Sequence, residues 1–166
     1  MDVRIHRFRA EHAPAFEALN RAWLVDHGLY EGRDEEQLAD PWGAIINPGG
    51  QIFVALLDNE VIGTCAVLSH GSGTFELAKL VVAPAARGHG LGRQLVDACL
   101  SYARQRHMQR VVLVSNSRLG PAIRLYEGMG FQHRPLPADV PYATADVYME
   151  LDLAASATGM LEHTGP

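Results

Sequence analysis

One stretch decides the fold of this chain: Leu80-Val81-Val82-Ala83-Pro84-Ala85-Ala86-Arg87-Gly88-His89-Gly90-Leu91-Gly92-Arg93. An apolar strand ends at Val82, and a loop with three glycines then leads straight into a helix. Glycines remove the Cβ atoms that would keep a ligand away from the backbone. The first turn of the helix presents unpaired N–H groups to an anion. The junction is therefore predicted to bind the phosphate groups of a cofactor.

Two other glycine loops can be tested against these residues. A dinucleotide fingerprint that begins at Gly88 would need glycine at position 93, where the chain has Arg93. A Walker loop would need Gly-Lys followed by Ser or Thr, and this tripeptide is absent from the sequence. The remaining alternative is a glycine-rich turn that only joins strand to helix, but three glycines at alternate positions beside an arginine exceed what a turn requires.

The pattern R-x-x-G-x-G at Arg87, Gly90 and Gly92, with the strand before it, resembles the acetyl-coenzyme A signature of the GNAT N-acetyltransferase superfamily. Residues 125–131, Leu-Tyr-Glu-Gly-Met-Gly-Phe, resemble the second landmark of that family, a helix that carries a tyrosine and closes in Gly-Phe. The resemblance extends over residues 3–153, although the first 50 residues match only in their order of elements. It implies a single α/β (α+β) domain over residues 1–153 with acetyl-coenzyme A as cofactor.

Composition agrees with a single domain, because 166 residues are few for two. No apolar run has the length of a membrane span, and the N-terminus lacks the pattern of a signal peptide, so a soluble cytoplasmic protein without a membrane partner is predicted. The formal net charge of -5 argues against a nucleic-acid partner and suits a cationic amine. Cys65 and Cys99 are interpreted as buried small hydrophobic residues. No metal site is predicted. The sequence leaves open whether the protein forms a homodimer.

Periodicity predicts strands at residues 3–8, 51–57, 61–69, 74–82, 110–115, 131–134 and 145–153, and helices at 10–27, 34–40, 91–107 and 119–129. The order βααβββαβαββ is the layout that the resemblance implies, with a mixed central sheet flanked by helices. A β-bulge is predicted around Lys79, because a regular strand would place Leu77 and Leu80 on opposite faces. Residues 154–166 are small, polar and unpatterned, and they are predicted to form a disordered tail.

The cofactor site is assigned to the strand end and the glycine loop. The pyrophosphate is expected to bind the backbone N–H groups of Gly88, Gly90, Leu91, Gly92 and Arg93, with Arg87 available for charge-assisted bonds. His89 lies in the same loop, where a solvated side chain is favoured over a phosphate contact. The exposed edge at Leu80, Val81 and Val82 can pair with the amides of the pantetheine arm.

The resemblance also implies a slot beside that edge, because in the family this strand splays from the next one. The N–H of Val81 or Val82 is then the expected oxyanion donor. Asn116 departs from the family pattern, since it precedes Tyr126 by ten residues rather than the usual seven. It is assigned either to cofactor contact or to another role.

Catalysis is assigned to Tyr126 and Glu76. The resemblance places the Tyr126 hydroxyl beside the thioester sulfur as a general acid, against the alternative of simple helix packing. Glu76, near the start of the strand that ends in the glycine loop, is the candidate base, against the alternative of an exposed strand-end carboxylate. Because neither cysteine is adjacent to a base in sequence, direct transfer in a ternary complex is predicted.

The acceptor is predicted to be a primary amine of a small molecule or an exposed protein amine. Aromatic and acidic residues before the first hairpin suggest an amine pocket, namely Trp23, Tyr30 and Glu31 with Asp26 and Glu35. The same residues suit an amphipathic surface helix, and that alternative is favoured. Two competing functions stay open: a non-catalytic module of the same fold that senses acyl-coenzyme A, and a structural partner protein.

Overall fold

A computed structural model of the protein describes residues 2–153. The predicted tail at 154–166 lies outside the described residues. Within the described part, seven strands are formed: Arg4–Arg7 (β1), Gln51–Leu57 (β2), Glu60–Ser69 (β3), Thr74–Val82 (β4), Arg110–Ser115 (β5), Gln132–Arg134 (β6) and Val147–Asp152 (β7). They form one sheet in the order β1-β2-β3-β4-β5-β7-β6. The β4–β5 pair is parallel and the other neighbours are antiparallel, which confirms the predicted mixed sheet.

The helices lie on the two faces of this sheet. Their bounds are Ala13–Asp26 (α1), Gly32–Ala39 (α2), Leu91–Gln105 (α3) and Gly120–Gly128 (α4), with shorter turns at Ala10–His12, Trp42–Ile46 and Pro84–Ala86. The predicted order βααβββαβαββ is confirmed. None of the helices in residues 2–153 is long and apolar enough to cross a membrane.

Helix α2 begins two residues before the predicted start. The backbone N–H of Glu31 donates to Asp34 Oδ2 at 2.9 Å, so Asp34 lies within the first turn and satisfies the group that precedes the helix. The five-residue turn at Trp42–Ile46 was not predicted, because Pro41 was interpreted only as the end of α2.

The core is divided by the sheet. Along β2, Phe53 and Ala55 point to the face covered by α3, while Ile52 and Val54 point to the face covered by α1, as period two requires. Cys65 and Cys99 are both buried free thiols in the α3 layer, as predicted. Burial of both faces explains why the central strands are almost continuously apolar.

The site depends on two irregularities of β4. Ala78 pairs with Ala66 and Val81 pairs with Thr64, so two residues of β4 oppose one residue of β3. Lys79 adopts φ 58°, in the left-handed region, which confirms the predicted β-bulge. Parallel pairing with β5 ends at Glu76 and Val112, and both strands continue beyond that point. The two strands therefore diverge and leave a slot between them.

Candidate active site

A cavity of about 130 Å³ lies at this divergence of β4 and β5. It brings together six residues that the sequence predicted from four separate elements. These are Trp23, Glu76, Leu80, Val81, Asn116 and Tyr126. Six further lining residues, which sequence reasoning did not select, carry polar side chains: Asn20, Asp34, Lys79, Ser115, Tyr142 and Thr144.

The glycine loop has the geometry that an anion requires. Gly88 and Gly90 adopt φ values of 83° and 75°, and Gly90 immediately precedes the first turn of α3. A Cβ built at either glycine meets no heavy atom within 4 Å, so the space above the backbone is open. The N–H groups of Leu91, Gly92 and Arg93 belong to the free first turn of α3. The loop therefore fits the pyrophosphate of coenzyme A.

The basic side chains of the loop have separate positions. Arg87 is exposed, and its Nε donates to the carbonyl of Val82 at 3.2 Å, which leaves the two terminal nitrogens for phosphate oxygens. His89 is also exposed, and its Nδ1 lies 3.2 Å and 3.1 Å from the carbonyls of Ala86 and Arg87. That contact supports the loop itself, in agreement with the favoured interpretation of His89. Arg93 is exposed on the first turn of α3.

Backbone alternation separates the two expected oxyanion donors. Ala83 donates its N–H to Ile62 on β3 at 2.8 Å, so the polar groups of Val82 point away from β3 and those of Val81 point toward it. The bond from Arg87 to the Val82 carbonyl agrees with this direction. By the same alternation Leu80 faces the slot. The register thus favours Leu80 and Val82 over Val81 as donors.

Tyr126 is a buried residue of α4 whose ring packs edge-on against Phe131. Burial, with smaller contributions from Cys65 and Cys99, raises the pKa of its hydroxyl well above the ordinary value of 10. The phenol is therefore neutral at physiological pH and carries a proton at the cavity wall. A buried neutral phenol can donate this proton to a departing anion.

Glu76 is buried, against the alternative of an exposed strand-end carboxylate. Its side chain is 9% exposed, and Oε1 lies 2.6 Å from Nε2 of His70. The bond with Glu76, opposed by burial, raises the pKa of His70 above its ordinary value of 6.5. The pair supplies a carboxylate with a titratable partner at the edge of the cavity.

A second charged pair, Lys79 and Asp34, was missed by sequence reasoning. The Lys79 ammonium donates to Asp34 Oδ1, and both side chains are buried. The signal in the sequence was a lysine within the apolar run Leu77-Ala78-Lys79-Leu80, which the bulge turns toward the cavity. Asp34 had been interpreted only as an acidic residue of α2.

Asn20 presents an unpaired acceptor. Its Nδ2 donates to the carbonyl of Phe16 at 2.9 Å and to Thr64 Oγ1 at 3.0 Å. Because the Thr64 hydroxyl donates its own proton to the Lys79 carbonyl, the Asn20 atom facing it must be the nitrogen. Asn20 Oδ1 is buried without a partner in the described structure, at a residue that lines the cavity. A ligand with an N–H or O–H donor would satisfy it.

The structure does not bring Tyr30 and Glu31 to the cavity wall. The Tyr30 hydroxyl accepts a bond from Arg21 at 2.9 Å. The Glu31 carboxylate accepts bonds from the N–H groups of Ala143 and Thr144 and from the Thr144 hydroxyl. Burial opposes these bonds, but they lower the pKa of Glu31 below its ordinary value. Both residues therefore support the scaffold of the site.

Asn116 also has a structural role at the cavity wall. Its Nδ2 donates to the Thr144 carbonyl at 2.7 Å, and its Oδ1 accepts from the N–H of Arg118 at 2.9 Å. The side chain amide thus ties the end of β5 to the segment before β7. This arrangement favours the second of the two roles left open for Asn116. Trp23, by contrast, lines the cavity and stacks on His27 with ring centroids 4.2 Å apart.

The sequence around this cavity matches a known protein family. The profile of the Acetyltransferase (GNAT) family matches residues 12–131. The chain belongs to the GNAT acetyltransferase family. The match spans the glycine loop, the diverging strands and Tyr126. The diverging strands and Tyr126 line the cavity.

Two curated relatives have comparable identity. Mycothiol acetyltransferase of Acidothermus cellulolyticus is 33% identical over 152 residues, which cover 80% of this chain and 45% of that protein. The chain therefore spans less than half the length of this relative. An uncharacterized N-acetyltransferase of Schizosaccharomyces pombe is 31% identical over 150 residues, covering 84% of this chain and 87% of that protein.

Solved structures show the same GNAT fold. A GNAT acetyltransferase of Staphylococcus aureus superposes with a TM-score of 0.83 at 16% identity, covering 92% of this chain and 99% of that one. The PaiA N-acetyltransferase of Thermoplasma acidophilum, solved in complex with coenzyme A, gives a TM-score of 0.70 at 15% identity with coverage of 92% and 99%. At such identities these likenesses establish the fold alone. Among residues 2–153, no group of three His, Cys, Asp or Glu side chains is arranged to hold a metal ion.

Proposed function

We propose that this GNAT protein is an acetyl-coenzyme A dependent N-acetyltransferase that acts on a primary amine of a small molecule or an exposed protein amine. One observation carries the proposal: Glu76, Leu80 and Tyr126 line the same cavity at the point where β4 and β5 diverge. A base, a backbone donor and an acid are the three groups that acyl transfer to nitrogen requires.

The cofactor is held by the loop and the strand edge. The first turn of α3, with the open backbone at Gly88 and Gly90, binds the pyrophosphate, and the terminal nitrogens of Arg87 bind its oxygens. The slot-facing backbone groups of Val82 pair with a pantetheine amide. Support also comes from the coenzyme A complex of the Thermoplasma acidophilum relative.

Acetyl-coenzyme A, when bound, supplies an acetyl group activated as a thioester. The N–H of Leu80 stabilises negative charge on the carbonyl oxygen, because Leu80 faces the slot and lines the cavity with both catalytic side chains. Tyr126 donates its hydroxyl proton to the departing sulfur. Burial raises the pKa of Tyr126 well above 10, so proton transfer to the thiolate is uphill and depends on a direct hydrogen bond between the hydroxyl and the sulfur.

Glu76 takes a proton from the acceptor nitrogen. An alkylamine is mostly protonated near neutral pH, so a buried carboxylate at the cavity helps to generate the nucleophile. The thiols of Cys65 and Cys99 are buried in the α3 layer, and burial raises the pKa of Cys99. Neither thiol is available as an acyl carrier, which supports direct transfer in a ternary complex.

The acceptor pocket favours a cationic molecule with an apolar part. Its charged wall contains the carboxylates of Asp34 and Glu76 and one ammonium, that of Lys79. Trp23, Leu24 and Leu29 form an apolar side. The unpaired Oδ1 of Asn20 calls for a donor on the acceptor. The two free cysteines suit a reducing compartment, so the proposal includes a cytoplasmic location.

The experiment measures free thiol release from acetyl-coenzyme A with a panel of small amines and peptides that carry a free amine. Binding of coenzyme A is followed in parallel by the melting temperature. We expect a raised melting temperature and amine-dependent thiol release. A raised melting temperature without release for any amine would instead support a sensing module. No thermal shift would overturn the cofactor assignment as well.

A further inference from the structure

Glu76 faces a second cavity besides the one that holds the reaction. This outer cavity of about 230 Å³ is lined by His70, Thr74 and Val112 and by Pro137, Asp139, Val140 and Pro141 of the β6–β7 connection. Glu76 and Val114 line both cavities. The carboxylate therefore separates the reaction cavity from an independent opening to the solvent.

His70 occupies that opening. Its Nε2 is 2.6 Å from Glu76 Oε1, and its side chain is 40% exposed while that of Glu76 is 9% exposed. The imidazole thus contacts the buried carboxylate with Nε2, while much of its ring is open to solvent. Because His70 binds Oε1, Oε2 is the oxygen that remains for the acceptor nitrogen.

We propose that His70 is a positioning residue that orients Glu76 and passes the acceptor's proton from Glu76 to the solvent. This inference rests on the proposed function, in which Glu76 is the base. One N–H bond of the amine breaks and its proton binds the Glu76 carboxylate. Neutral His70, when it carries its proton on Nδ1, accepts this proton at Nε2 from the Glu76 carboxyl, and the Nδ1 proton leaves to water in the outer cavity. His70 then holds its proton on Nε2 and donates it to Glu76 Oε1, and exchange with water restores the Nδ1–H form before the next turnover. An acceptor that enters as an ammonium loses two protons, and the sulfur gains one from Tyr126, which regains a proton from water. One proton is therefore released in net for each acetyl group transferred.

The relay makes turnover depend on the charge of His70. An imidazolium has no free nitrogen lone pair, so protonated His70 cannot accept the proton. The bond to Glu76 raises the pKa of His70, and this moves the acid limb of the rate profile above 6.5. The charged and titratable groups near the pair are Arg33 and Asp34 from α2, Asp139 and Tyr142 from the β6–β7 connection, and Tyr148 from β7.

The deciding variant is His70→Gln, which keeps a donor for Oε1 and removes the titrating ring. The control is His133→Gln, because His133 and Glu127 form a similar His–Glu pair at 3.0 Å on the exposed surface. We expect His70→Gln to lower kcat by about tenfold to a hundredfold, to leave the KM for acetyl-coenzyme A unchanged, and to remove or displace the acid limb. His133→Gln should match the wild type in kcat, in the KM for acetyl-coenzyme A and in the acid limb of the pH profile.

A second variant tests the relay by rescue. In His70→Ala, added imidazole can enter the outer cavity, and we expect kcat to rise with its concentration. A His70→Gln enzyme with wild-type kcat and pH profile overturns the inference. The inference is also overturned if His70→Gln lowers kcat equally at every pH and imidazole does not raise the kcat of His70→Ala. If the variants do not fold, the His70 titration by NMR in Glu76→Gln decides: an unchanged His70 pKa overturns the pairing. Absence of wild-type thiol release would instead mark failure of the proposed function itself.

Discussion

The buried ammonium of Lys79 is paired with the buried carboxylate of Asp34, and their side chains are 5% and 3% exposed. The pair joins the bulge of β4 to the first turn of α2 and lies in the wall of the reaction cavity. Because the Asp34 carboxylate also accepts the N–H of Glu31, one side chain holds both the bulge and the helix start. This contact connects the shape of the cavity to the stability of the fold.

Breaking the pair should be costly. Lys79→Met leaves Asp34 charged, buried and unpaired, so we expect the free energy of unfolding to fall by about 3–5 kcal/mol. The double variant Lys79→Met/Asp34→Asn should lose less than the sum of the single losses, because no charge is left alone. Denaturant unfolding of the wild type, Lys79→Met, Asp34→Asn and the double variant measures these free energies. The control Arg21→Met removes two solvent-accessible ion pairs, with Glu17 and Glu35, and one hydrogen bond to Tyr30, and it should change stability much less. Additive losses would show that the two groups do not interact.

The loop should tolerate no side chain at Gly90. Gly90→Val should abolish coenzyme A binding, because the side chain fills the open space above the backbone. The left-handed φ of 75° also strains any non-glycine residue, so the control is Gly28→Val, at φ 67° with equally open surroundings. Both variants should be destabilised to a similar degree, and only Gly90→Val should lose affinity by calorimetry. Unchanged affinity in folded Gly90→Val would falsify the loop assignment.

Removal of the Tyr126 hydroxyl should affect chemistry rather than binding. We expect Tyr126→Phe to lower kcat by roughly tenfold to a thousandfold with little change in coenzyme A affinity, since only the proton donor is lost. Tyr102→Phe is the matched control, because both tyrosines are 8% exposed and Tyr102 does not line the cavity. Full activity of Tyr126→Phe across the pH range would mean that this tyrosine only packs.

Replacing the proposed base should produce a pH-dependent defect. Glu76→Gln should lower turnover most strongly at neutral pH, and a higher pH should restore part of it because the solution then contains more free amine. Steady-state rates across a pH series measure the effect, with Glu127→Gln as the surface control. A defect of equal size at every pH would indicate a binding role for Glu76 instead.

The His70–Glu76 bond should stabilise the fold mainly at lower pH. The pKa of His70 is raised above 6.5 by its bond with Glu76, against the opposing effect of burial. Such a group contributes stability that is fully present below the unfolded pKa of about 6.5 and is lost as the pH rises through the folded value. The difference in melting temperature between wild type and His70→Gln should therefore shrink with rising pH. A difference that grows with pH would contradict the assigned direction.

Local patterns predicted the fold well. One contiguous stretch contains the glycine loop, the strand before it and the helix after it. The backbone preferences of these residues are local and require no distant partner. Strands β2, β4 and β5 have the predicted bounds, because their apolar runs are bounded by turns or charged residues. The bulge at Lys79 could also be predicted from the sequence, because a regular strand cannot place Leu77 and Leu80 on the same face of the sheet.

Tertiary structure decided the composition of the cavity wall. Lys79 meets Asp34 across 45 residues and Glu31 meets Thr144 across 113. Asn116 is likewise committed to Thr144, and His70 reaches Glu76 only because the β3–β4 turn folds back. The sequence by itself determined the elements and the cofactor loop, because backbone geometry is a local property. Which polar side chains meet in the cavity depended on the packing of α1, α2 and the β6–β7 connection, because a buried charge or amide takes whichever partner the fold brings within reach.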